Sequence, residues 1–205
     1  MKKEISMKYI NQLDYPDTPY ITRTDMDEAN RIKGLSTTIA TSGCGLCSSI
    51  MVADRLLTES EFGLEDALKL SYATKANYKG GTNSARYFPA FAEKMGLHYE
   101  KTKDPEELRR CLRTGGAAII LVTGDREGYH GVFSDRARHY IAAISEERDG
   151  RITVLDPAYE DGGYEKGDRI GKVEVKARGM GTCEMKILLE ETEPLETPFH
   201  LFWRG

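Results

Sequence analysis

Apolar positions divide the chain into two differently patterned stretches. From Cys44 to about Gly115 they recur at helical spacing, and from Ala117 onward they form short runs of strand length. Leu46, Ile50, Ala53, Leu56 and Leu57 predict a helix that begins near Cys44. A second helix is expected over residues 64–78, ended by Gly80-Gly81. A third follows Thr82-Asn83-Ser84, carries Pro89 in an early turn and stops at Gly96. The fourth has the plainest limits, with Asp104 as cap, Pro105 in the first turn and Gly115-Gly116 as its stop. Beyond it, residues 117–123, 138–145 and 151–155 read as strands, the last two joined through the hairpin pair Asp149-Gly150. Further strands are expected over 171–176, 183–189 and 199–203. Residues 1–35 hold the turn formers Asp14, Pro16, Asp17 and Pro19 and are expected to be mostly irregular.

Helices first and antiparallel strands second predict an α+β arrangement, not a doubly wound sheet. At 205 residues the chain can bury a substantial core. The expected organisation is one domain over 1–205, with a helical lobe at about 36–115, a β lobe at about 116–205 and an active site between them. Composition is that of a globular protein, 40% hydrophobic and 30% charged. The net charge of −4, with Lys and Arg dispersed, argues against a nucleic-acid partner. Apolar runs such as 117–122 are too short for membrane insertion. The start, Met1-Lys2-Lys3 followed by Glu4, Ser6, Lys8 and Asn11, has no apolar signal core, so a cytoplasmic location is expected, or secretion if a leader was trimmed. Four cysteines, Cys44, Cys47, Cys111 and Cys183, are too few for a disulfide scaffold and read as free thiols.

Candidate chemistry begins at Cys44, where a glycine-bearing loop meets the first strong helix. Unpaired N–H groups and the helix dipole there favour the nucleophilic thiolate. Gly43 and Gly45 would let a substrate carbonyl approach the backbone. A small buried cysteine fits the same local pattern equally well. A nucleophilic thiol needs a histidine and a group to orient it. Of His98, His130, His139 and His200, His139 opens a predicted strand, and Asp156 ends the next. If the two strands pair through Asp149-Gly150, imidazole and carboxylate become neighbours; a strand-edge histidine and a turn aspartate are the plainer alternatives. Gln12, the only glutamine, lies upstream of the cysteine and could donate to an oxyanion, as could Asn11, though a solvated side chain is the simpler reading.

These residues together resemble the bacteriocin double-glycine leader peptidase-like proteins of the papain-like clan. The stretch from Thr38 through Ser42-Gly43-Cys44-Gly45 to Met51-Val52 is similar to that family's nucleophile segment. Gln12-Leu13-Asp14 matches its upstream Gln-x-Asp element, His139-Tyr140 its histidine strand and Asp156-Pro157 its Asp-Pro. The resemblance covers about residues 8–160. It implies a papain-like fold in which Cys44 attacks a peptide or amide, His139 is acid and base, Asp156 orients His139 and Gln12 completes the oxyanion hole. It also implies a peptide or protein substrate and no metal or cofactor. Two positions depart from the pattern: Leu46-Cys47 stands where Pro-Thr is usual, and Arg138 where glycine commonly precedes the histidine. The chain carries neither the membrane nor the ATP-binding parts of transporter-linked members, which favours a stand-alone hydrolase.

Other readings compete. Cys44-Gly45-Leu46-Cys47 is a Cys-x-x-Cys at a helix start, as in thiol-disulfide oxidoreductases, although Ser36 to Ser42 makes a poor core strand before it. A non-catalytic peptide-binding member of the same fold is the third. A zinc site lacks a second ligand pair. Trp203 is expected as a core anchor, Tyr87, Phe88 and Phe91 as helix packing, and the run Glu190-Glu191-Thr192-Glu193 as a solvated turn.

Overall fold

The computed structural model describes residues 7–24, 34–58, 60–135 and 138–205. The apolar runs of the second half pair into one antiparallel sheet. Its strands are β5 (His98–Thr102), β6 (Ala117–Val122), β7 (His139–Glu146), β8 (Ile152–Leu155), β9 (Val173–Ala177), β10 (Met180–Cys183) and β11 (Phe199–Trp203), in the order β5-β11-β6-β7-β8-β10-β9. β6 is a continuous apolar run because both of its faces are covered. Ala117 and Ile119 join a core with Leu46, Ile50 and Met51 of helix α2 (Cys44–Leu56). Ala118, Ile120 and Val122 join another with Leu108 and Leu112 of α5 (Pro105–Arg113) and Leu188 of α6 (Met185–Thr192). Each such aliphatic side chain contributes on the order of 1.5–3 kcal/mol by leaving water.

Helix α2 is preceded by the four-residue α1 (Ile39–Ser42) and is buried nearly all round. Its serines find partners inside: Ser48 donates to the Tyr140 carbonyl at 3.2 Å, and Ser49 to the Leu46 carbonyl at 2.7 Å. Helices α3 (Leu64–Ala73) and α4 (Ser84–Met95) complete this layer, with Tyr87, Phe88 and Phe91 of α4 fully buried. The ends of α4 and α5 follow their caps. The Asn83 side chain accepts from Arg86 N–H, Gly96 turns left-handed at φ 65°, and Asp104 accepts from Glu106 N–H at 2.8 Å. A small second sheet pairs β1 (Thr22–Arg23), β2 (Gly34–Leu35), β3 (Asn77–Tyr78) and β4 (Gly81–Thr82).

Several elements differ from the sequence pattern. Helix α3 ends at Ala73, not at 78: the Thr74 hydroxyl bonds back to the Leu70 carbonyl, Lys75 turns left-handed at φ 55°, and a hairpin follows. The expected strand 183–189 is the end of β10 and the start of α6, since its apolar residues satisfy helical spacing as well. Glu191, expected in a solvated turn, is fully buried in the last turn of α6. Strand β5 was not anticipated, for its five residues are largely exposed and carry no alternation. Trp203 is only partly buried and stacks on His98 at 5.6 Å, while Phe199 and Phe202 occupy the core. The irregular stretch 1–35 holds a short 3₁₀ turn, Gln12–Asp14, and β1 and β2; residues 1–6 and 25–33 lie outside the described ones.

Candidate active site

Cys44 is the first residue of α2, and Gly43 before it ends α1. Gly43 has no room for a side chain, and Gly45 is tightly packed. A Cβ on Gly43 would fall 2.6 Å from the Ile39 carbonyl oxygen, and one on Gly45 would fall 3.0 Å from Thr82 Cβ and 3.3 Å from the Tyr140 ring. Cys44 is partly exposed, whereas Cys47, Cys111 and Cys183 are buried.

The structure brings His139 and Asp156 together. β7 pairs with β8 in antiparallel register, Ala142 opposite Leu155, with a bulge between Ala143 and Ser145. Continued one step, that register sets Asp156 level with Ile141, and His139, two residues along on the same face, is its diagonal neighbour. His139 Nε2 is 2.8 Å from Asp156 Oδ1, and both side chains are buried. The same carboxylate oxygen accepts from Ala158 N–H at 2.8 Å, and Oδ2 accepts from the Tyr164 hydroxyl at 2.5 Å. The Asp156 carbonyl accepts from the Tyr9 hydroxyl at 2.6 Å. Tyr9 in turn lies over Gly179, where an added Cβ would come within 2.0 Å of the ring.

The electrostatics of the three groups are coupled. Burial pushes the Cys44 thiol up, but the hydrogen bond and charge of His139, with the N–H groups of Tyr140 and Gly45, outweigh it and leave the thiol below its usual value. Burial disfavours the charged His139 ring, yet Asp156 and Cys44 raise it to about 10. Asp156 is likewise opposed by burial and is held below the usual carboxylate range by His139, Tyr164 and Ala158. All three directions favour a thiolate, an imidazolium and a carboxylate in a row. The buried His200, by contrast, is pushed down to about 3 and bonds through Nδ1 to the Tyr99 hydroxyl.

Gln12 is buried, and its amide Nε2 donates to the Ala40 carbonyl at 2.6 Å while its own N–H donates to the Pro157 carbonyl at 2.6 Å. It thus ties α1, just before the cysteine, to the loop just after Asp156. Its Oε1 is buried without a partner among the described residues. Gln12 shares with Cys44 and His139 a cleft of about 650 Å³. Asn11 is occupied otherwise, donating to the Tyr159 carbonyl and capping Leu13 N–H. Cys47 lies one helical turn inside, fully buried, and burial pushes its thiol well up. Tyr9, Tyr164 and Gly179 escaped the sequence reading, since their contacts join distant segments and leave no local signature.

The chain is thus a mixed α/β protein in which a helix-borne cysteine, a strand-borne histidine and a buried aspartate converge. Among solved structures it is similar to a crystal structure of a "putative C39-like peptidase" from Bacillus anthracis, with a TM-score of 0.53 and 12% identity, over 98% of this chain and 96% of that one. At that identity the likeness establishes a distant relationship of fold. No family model and no curated protein sequence matches the chain. No helix among the described residues is long and apolar enough to cross a membrane.

Proposed function

We propose that the chain is a cysteine peptidase-like hydrolase that cleaves a peptide or amide bond through a thioester acyl-enzyme. The observation that carries this reading is the placement of His139, hydrogen-bonded to Asp156 at 2.8 Å and acting on the Cys44 thiol at the N-terminus of α2. Asp156 occupies Nε2, which leaves Nδ1 for the thiol. In the first step the Cys44 thiolate attacks the carbonyl carbon, a C–S bond forms and the carbonyl oxygen becomes an oxyanion. The second N–H of Gln12 Nε2 and the Cys44 N–H are suited to hold it. His139 then gives its proton to the leaving nitrogen as the C–N bond breaks. Water, deprotonated by His139, releases the acyl group as an acid and restores the thiolate. The fold shared with the C39-like structure agrees with this chemistry.

Disulfide exchange between Cys44 and Cys47 is the weaker reading, because Cys47 is sealed in the core and its thiol is held protonated. The test is acid quenching during turnover of an activated amide or ester, followed by mass spectrometry. The expected result is an acyl adduct on Cys44, with turnover falling at least a thousandfold in Cys44→Ala. Peptide binding without an adduct or turnover would indicate a non-catalytic member of the fold, and turnover unchanged in Cys44→Ala would overturn the reading.

A further inference from the structure

The cleft around Cys44 and His139 is lined by two cations, Lys79 and Arg138, and by one carboxylate among the described residues, Asp135. The first belongs to the β3–β4 hairpin, whose two-residue turn is Lys79-Gly80. Both residues have positive φ, 49° and 76°, the turn that suits strand twist and that asparagine or glycine usually opens. A lysine in the left-handed region is conformationally disfavoured. The turn is fixed in place: Lys79 N–H donates to the Arg23 carbonyl at 2.7 Å and Gly80 N–H to Thr22 Oγ1 at 2.9 Å. The Lys79 ammonium lies over the Tyr78 ring, 5.2 Å from its centroid. The hairpin is seated against the nucleophile's helix, with Thr82 packed where Gly45 has no side chain.

The second cation is Arg138, exposed and adjacent to His139 at the start of β7, which lines the same cleft. Neither Lys79 nor Arg138 forms an ion pair with a described residue, and Asp135, the one carboxylate among the described residues that line this cleft, has interactions of its own. In a chain of net charge −4 such a surface is not the average one. Cations along a concave site focus the field on what enters it.

We propose that this cleft takes acidic polypeptide, a substrate segment whose Asp or Glu side chains flank the bond under attack and meet Lys79 and Arg138. The proposal rests on the reading of Cys44 as the nucleophile. It names the substrate's charge, which the arrangement of Cys44, His139 and Asp156 leaves open.

Two reagents of like size test it without a known substrate. Iodoacetate and iodoacetamide both alkylate a thiolate, the S–C bond forming as iodide leaves, but only the first is an anion. Cys47, Cys111 and Cys183 are buried, so fast labelling reports Cys44, and Cys44→Ala provides the blank. Lys79→Asn suits the left-handed turn, and Arg138→Gln removes charge at an exposed site. The ratio of iodoacetate to iodoacetamide rates is expected to fall about threefold with each change, and to fall with added salt in the unsubstituted protein. The iodoacetamide rate is expected to stay constant throughout. Fast iodoacetamide labelling with an unchanged ratio in the double variant overturns the proposal alone. Slow reaction of Cys44 with both reagents in the unsubstituted protein overturns the nucleophile reading and the proposal with it. A fluorogenic peptide with glutamates on both sides of its cleavage site should show a lower KM than its glutamine counterpart, and equal KM values would count against the proposal.

Discussion

The Asp156 carboxylate accepts three hydrogen bonds, from His139, Ala158 and Tyr164, and this sets the behaviour of the residues around it. Replacing Tyr164 by phenylalanine removes a buried donor to a charged acceptor and should cost about 2 kcal/mol in denaturant unfolding. Because Asp156 is depressed in the folded state, its stabilisation is lost as pH falls through the folded value. That loss begins near the unfolded value, so in Tyr164→Phe, where the folded value is less depressed, it should start at the same pH, be smaller and finish at a higher pH. The Cys44–His139 pair has a different signature. With Cys44 as thiolate and His139 as imidazolium in the folded protein, the pair holds one proton between the ordinary histidine value of 6.5 and the ordinary thiol value of 9.0, where the unfolded chain holds one on Cys44. Its contribution is therefore constant in that window. Below 6.5 the unfolded chain binds a second proton, and above 9.0 only the folded chain keeps one, so the contribution shrinks on both sides. The difference in unfolding free energy between the unsubstituted protein and Cys44→Ala/His139→Ala should trace that flat-topped curve. Cys44, His139 and Asp156 were legible as candidates because each sits at a readable boundary: a helix start, a strand start, a strand end. Gln12 was named as a candidate through the resemblance, but its burial was not legible, since nothing in an irregular N-terminal stretch signals that a glutamine is buried.

At the scale of elements, the site depends on two segments packed against the nucleophile's helix and on one beneath a cleft loop. Gly45→Ala should push the β3–β4 hairpin and Tyr140 away from α2. A cost of about 1–3 kcal/mol is expected, with slower alkylation of Cys44. Glu191 supports the loop after β6 from inside α6: its carboxylate accepts from Val132 N–H and from the Tyr129 hydroxyl at 3.0 Å, and its carbonyl accepts from Thr123 N–H at 3.1 Å. Glu191→Ala should destabilise the fold by about 2 kcal/mol and make residues 124–135, which include the cleft residues Ser134 and Asp135, the first site of limited proteolysis. The capped helices α4 and α5 and the strands β6 to β8 could be read in the sequence because caps, glycine stops and a hairpin turn are local signals. The apolar run of α6 could not be assigned, for Met185, Ile187 and Leu189 alternate as in a strand while Met185, Leu188 and Leu189 share a helix face, and tertiary packing decides. β5 gave no pattern because an exposed edge strand buries little on either face.

For the molecule as a whole, the antiparallel sheet is the frame on which these parts meet. Its central strand β7 carries His139, faces α2 on one side and α5 on the other, and pairs with β8, which delivers Asp156. The N-terminal segment closes the frame through Tyr9 and Gln12, both bonded to the loop after β8. These contacts span about 150 residues and belong to the fold, which is why no window of sequence displays them. The central claim is that this frame holds Cys44 as a thiolate beside a protonated His139. It is tested most directly by the pH dependence of Cys44 alkylation with iodoacetamide, in the unsubstituted protein and in His139→Ala. The account predicts nearly equal rates at pH 6 and pH 8 in the first, and in the second a slow rate at pH 6 that rises as an ordinary thiol ionises toward its usual value of 9.0. A rate that climbs about tenfold per pH unit through the neutral range in both proteins alike would contradict it.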